Sequence, residues 1–123
     1  MNTNEEKFET VSTDIGVAAI LEQLAEESTE LAQAALKLAR IERGENPTPV
    51  PANVAFSNLL EETADVRLCI KVLESVVGNM DTASIENAKL TRWAARIKAT
   101  QAEAEQKPER KSEPRRRVIF FTI

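Results

Sequence analysis

Leu24-Ala25-Glu26-Glu27-Ser28-Thr29-Glu30-Leu31-Ala32-Gln33-Ala34 is the stretch on which the reading of this chain turns. Its apolar positions continue a series at Val17, Ile20, Leu21, Leu24, Leu31, Ala34, Leu38 and Ile41, in steps of three and four that trace one face of a helix. Glu27 interrupts that face where a leucine is expected, and Glu30, three residues on, lies close to the same side. A second stretch repeats the arrangement. Asn58-Leu59-Leu60-Glu61-Glu62-Thr63-Ala64-Asp65-Val66 belongs to a stripe at Leu59, Val66, Cys69, Leu73, Val76 and Met80. Glu62 stands inside that stripe and Asp65 three residues beyond it. An ExxE on a helix is ordinarily a solvated face. Two helices that each put a carboxylate pair toward the core are not economical for a purely structural bundle. Like charges at ~4 Å repel by ~1 kcal/mol per pair even in water, and by more where water is scarce. Divalent cations remove that repulsion, and carboxylate oxygens suit hard ions such as magnesium, with manganese as a substitute.

Composition narrows the chemistry. The chain has 123 residues, 42% hydrophobic and 29% charged, which fits one globular domain rich in helix formers with only three glycines. It contains no histidine, which removes Ser-His-Asp and Cys-His catalysis and His-based zinc sites. A single cysteine, Cys69, excludes an internal disulfide framework and fits a reducing cytoplasm; it reads as a small core residue. The net charge of -4 gives no footprint for nucleic acid, and no apolar run is long enough to span a bilayer. The polar, acidic N-terminus does not read as a signal peptide.

Punctuation along the chain gives three helices. Residues 1–12 read as a loose polar lead, with Ser12, Thr13 or Asp14 available as a cap. The first helix runs from about Ile15 to Gly44, where Arg40 and Arg43 complement the dipole. Three prolines between residues 45 and 55 call for a loop. The second helix starts near Phe56 or Ser57 and stops at Gly78, and the third runs from Asp81 or Thr82 to about residue 104. The predicted fold is all-α, with three main antiparallel helices. A helical domain over residues 1–105 is followed by a flexible charged tail, 106–123, with an apolar C-terminus.

The paired motifs, Glu27-x-x-Glu30 and Glu62-x-x-Asp65 with their flanks, resemble those of the all-α nucleoside triphosphate pyrophosphohydrolases of the MazG type, over roughly residues 15 to 100. The resemblance implies a bundle completed by dimerisation, as a homodimer or a dimer of dimers. It also implies a magnesium-dependent hydrolysis of a nucleoside triphosphate to monophosphate and pyrophosphate, for house-cleaning or control of the nucleotide pool. Glu27, Glu30, Glu62 and Asp65 would then hold the metal, with Glu27 or Glu30 free instead to orient or deprotonate the attacking water. Lys89, Arg92 and Arg96 share one face of the third helix and are the expected phosphate partners, a solvated basic face being the alternative. Asn58 is a further nucleotide contact or an early helix residue. The family often carries Lys-x-x-x-Asn-x-x-Arg here; Lys89 and Arg96 fit it, but Trp93 occupies the Asn position. Trp93 could stack on a base, although a lone helical tryptophan more often packs. The rival readings are a non-catalytic helical interaction module and a family member that binds nucleotide but turns it over slowly.

Overall fold

The computed structural model describes residues 3–45 and 50–106, and these are helical almost throughout: α1 Asn4–Arg43, α2 Ala52–Val77 and α3 Ala83–Glu105. No strand occurs among the described residues. The tail expected over 106–123 lies, from residue 107 onward, outside them. They divide into two compact units, 3–79 and 80–106.

The first unit is an antiparallel hairpin of α1 and α2. Ile20 near the start of α1 packs with Val72 and Leu73 near the end of α2, whereas Ala34 of α1 shares a cleft with Ala55 at the start of α2. The middle of each sequence stripe falls on this seam, whereas Val17, Leu21, Val76 and Met80 at the stripe ends and edges are exposed. Leu24, Leu31, Leu38, Leu59, Val66 and Cys69 are half-buried along it, and Ile20, Ala55, Val72 and Leu73 are buried.

Two boundaries differ from the sequence reading. Residues 3–12 are not a loose lead. Thr3 and Glu6 form a capping box, in which Thr3 Oγ1 accepts from the Glu6 amide at 3.2 Å and the Thr3 amide donates to Glu6 Oε2 at 2.7 Å. This satisfies two orphan groups at the helix start and allows a largely polar segment to be helical. The helix gains tertiary support from Phe8, which packs on the Ile20, Val72 and Leu73 cluster. The second difference is the start of α2 at Ala52 rather than near Phe56. Pro51 takes the N-cap position at φ -60, where the missing N–H costs nothing, and its carbonyl accepts from the Val54 and Ala55 amides at 3.1 Å.

Gly16 divides α1. Its φ of 73 and ψ of 166 are not helical, so residues 4–15 form an arm that meets the longer stem, 17–43, at a bend. This backbone region belongs essentially to glycine. Nothing lies within 4 Å of a Cβ built there, so a substitution meets backbone strain alone. Gly16→Ala is expected to cost about 1–3 kcal/mol or to release the arm, which chemical denaturation will read as a lower midpoint. An unchanged midpoint would mean that the bend does not hold in solution.

The second unit contains α3. Its start and end match the expectation to within a residue or two, with Thr82 before it and Glu105 last. No residue of it is buried. Trp93 does not pack as a lone helical tryptophan ordinarily does: it is 65% exposed, with Leu90 and Ile97 beside it on one face and also exposed.

Candidate metal centre

Midway along the hairpin, the two interruptions of the apolar seam meet. One carboxylate oxygen from each of Glu27, Glu30 and Glu62 lies within 4.8 Å of the others. The helical steps account for this. Glu27 and Glu62 occupy seam positions and are half-buried, while Glu30, three residues after Glu27, is exposed at the edge of the seam. Asp65 does not join the group of three. It is exposed, one step further along α2, yet close enough for its charge to act on both Glu27 and Glu62.

The electrostatics are unfavourable as they stand. Glu27 Oε2 and Glu62 Oε2 are buried and have no hydrogen-bond partner. Partial burial pushes the Glu27 carboxyl up from its ordinary value of 4.5; the Gln23 amide, which donates to Glu27 Oε1 at 2.8 Å, opposes this, and the charges of Glu30 and Asp65 add to it. Glu62 is raised first by burial, then by Glu30, and further by Asp65 and Glu27. The Cys69 thiol is raised by burial and by the charges of Glu27 and Asp65, so it stays a protonated, inert neighbour. Thr29 and Thr63 sit inside the two motifs but donate to the carbonyls of Ala25 at 3.0 Å and Leu59 at 2.7 Å. Their protons are thus engaged by the backbone.

Orphaned carboxylate oxygens in a cluster of three are a donor set that a hard divalent cation would satisfy. The oxygen-only chemistry fits magnesium or manganese and suits softer, nitrogen- or sulfur-seeking ions poorly.

Protonation can relieve the same repulsion. Below pH 4.5, the ordinary value, these two carboxyls are protonated whether the chain is folded or not, and the folded state keeps their contribution in full. As pH rises from there through the raised folded values, the unfolded chain gives up its protons first, and folded stability falls. The metal-free protein is therefore expected to lose thermal stability across that window, as far as Glu27 and Glu62 govern it. Saturating magnesium at neutral pH restores it, because the ion binds the folded state. Melting curves across pH, with and without magnesium, check both signs. A magnesium-independent melting temperature at neutral pH would argue against a cation site.

The other sequence candidates belong to different units. Asn58 is exposed on α2 and lines a cleft with Glu30 and Glu62. Lys89, Arg92 and Arg96 lie on α3, in the second unit, and are exposed. Sequence reasoning missed Gln23, whose four-residue spacing from Glu27 was a usable signal. It also passed over Lys37 and read Arg40 only as a complement to the helix dipole; both line the cleft and follow Glu30 at helical steps of seven and ten.

Comparison with protein families, with curated proteins and with solved structures returned no match. No helix of the described residues is long and apolar enough to cross a membrane.

Proposed function

We propose that this chain is a magnesium-dependent nucleoside triphosphate pyrophosphohydrolase of the MazG-like type. The observation that carries the reading is the meeting of Glu27, Glu30 and Glu62 within 4.8 Å, with two carboxylate oxygens buried and unpartnered. Glu27, Glu30 and Glu62 would hold the cation, and Asp65 would support it by charge or as an additional ligand. A bound magnesium supplies charge neutralisation for the phosphate oxygens and acidifies a coordinated water. One of Glu27 or Glu30, instead of holding the cation, would orient the attacking water and accept its proton. The water oxygen forms a bond to the α-phosphorus as the bond to the α–β bridging oxygen breaks. The electron pair stays on that oxygen, which leaves with the pyrophosphate.

The working form is a homodimer or a dimer of dimers. Four buried hydrophobic residues make a thin core for the described part of the chain, while Leu21, Leu36, Leu60, Leu68 and others remain exposed. Pairing of copies would cover such residues and complete the bundle.

The test is pyrophosphate release from a panel of ribo- and deoxynucleoside triphosphates with magnesium or manganese. Metal-dependent release supports the reaction class and ranks substrates in one experiment. No release by the folded protein would favour the second reading, a helical interaction module. That reading draws on the exposed Leu90, Trp93 and Ile97 of α3.

A further inference from the structure

The carboxylate centre lies between two recesses of opposite character. Toward the N-terminal arm, a cavity of about 200 Å³ is lined by apolar side chains such as Val11, Ile15, Leu68 and Val72, with Glu27 and Asp65 at its inner side. Toward the other end of the hairpin, a wider cleft of about 680 Å³ opens. Its polar lining consists of Glu30, Gln33, Lys37, Arg40, Asn58 and Glu62. The two acids at its inner end belong to the metal cluster. Its two cations stand on α1 at one-turn spacing, about 10 and 15 Å along the helix from Glu30, with Asn58 on the α2 side.

Neither Lys37 nor Arg40 makes a side-chain ion pair among the described residues. Lys37 is half-buried and lines the cleft. Helix-dipole compensation accounts for Arg40, which stands in the last turn of α1, but not for Lys37. Lys37 lies before that turn, and Arg43, the other cation of the turn, does not line the cleft. Arginine and lysine beside an amide donor recognise phosphate oxygens, the first by a planar fork and the second as a point charge.

We propose that Lys37, Arg40 and Asn58 form a pyrophosphate subsite, so that the polyphosphate of the substrate lies along the α1–α2 seam with its departing end in this cleft and its organic end toward the apolar cavity. The subsite rests on the pyrophosphohydrolase reading for its purpose but not for its detection, because inorganic pyrophosphate alone is the probe. Isothermal titration of the full chain with pyrophosphate in magnesium is compared for the unaltered protein, for Lys37→Gln with Arg40→Gln, and for Lys71→Gln as an exposed lysine that does not line the cleft. Both charges lost from the cleft are expected to weaken pyrophosphate binding at least tenfold. Lys71→Gln is expected to leave binding within twofold, and the magnesium-induced rise in melting temperature is expected to persist in every variant. Equal binding by the double variant, with the magnesium response intact, overturns the subsite even if triphosphates are hydrolysed. Binding that depends on Lys37 and Arg40 without any hydrolysis keeps the subsite and overturns the reaction. Weakening by Lys71→Gln to the same extent would reduce the effect to overall charge and overturns the proposal too.

Discussion

Glu62→Gln is expected to lower metal-dependent pyrophosphate release by about a hundredfold or more, since even groups standing behind a metal ligand typically cost about 10–100-fold. The substitution keeps the size of the side chain and removes one anionic oxygen from a cluster in which three carboxylates meet within 4.8 Å. Its effect on the metal-free protein has the opposite sign. The buried Glu62 Oε2 has no partner, and burial with the neighbouring acids raises this carboxyl. Removing the charge should therefore raise the melting temperature of the metal-free protein at neutral pH while shrinking the further rise that magnesium produces. This pairing separates a functional carboxylate from a structural one, whose loss would lower stability and leave the magnesium response alone. Glu61→Gln, on the adjacent and exposed face of α2, is the control and should change neither quantity appreciably. Equal behaviour of the two variants would remove the basis for a metal centre at this position.

The second large effect concerns the packing that holds the site. Ile20→Ala is expected to destabilise the chain by about 2–5 kcal/mol, the usual cost of truncating a large buried aliphatic side chain. Ile20 is 1% exposed and forms the buried cluster with Val72 and Leu73, against which Phe8 of the arm also rests. So small a cluster has few other contacts to share the loss. Leu36→Ala, at a side chain 60% exposed, should stay within about 0.5 kcal/mol. Denaturant titrations followed by far-ultraviolet circular dichroism measure both. A loss below about 1 kcal/mol for Ile20→Ala would mean that the hairpin draws its stability from elsewhere, as it would if a second copy of the chain covered most of its apolar surface.

The readable part of this molecule was the part in which a local rule and a tertiary demand agree. The seam positions of Glu27 and Glu62 were legible because acids replace leucine in an otherwise regular apolar series, and those two residues are the half-buried members of the cluster. Glu30 and Asp65 carry the same three-residue offset on their helices, yet only Glu30 joins the group. Spacing fixes the side of a helix; the rotation of one helix against the other decides which edge residue converges. The arm over residues 4–15 was missed because Phe8 and Val11 are too few apolar residues to show a period, although Thr3-x-x-Glu6 was a capping signal in plain sight. The early start of α2 was masked by a proline-rich approach, in which Pro51 begins the helix instead of preventing it. The basic residues illustrate a different limit. Lys89, Arg92 and Arg96 align along α3, but alignment on one helix says nothing of what that helix faces. Lys37 and Arg40 stand in a cleft with the acids because they share the stem of α1 with Glu30.

One consequence follows from the position of Trp93. It is the chain's sole tryptophan, and 65% of its surface already meets solvent in the folded state. Its emission will therefore be red-shifted before any denaturant is added and will change little as the helices melt, so fluorescence is a poor thermometer of folding here. The same property makes it a clean optical reporter of encounter: a blue shift on raising the protein concentration, or on adding a ligand, will mark the moment at which something dry comes to rest on α3.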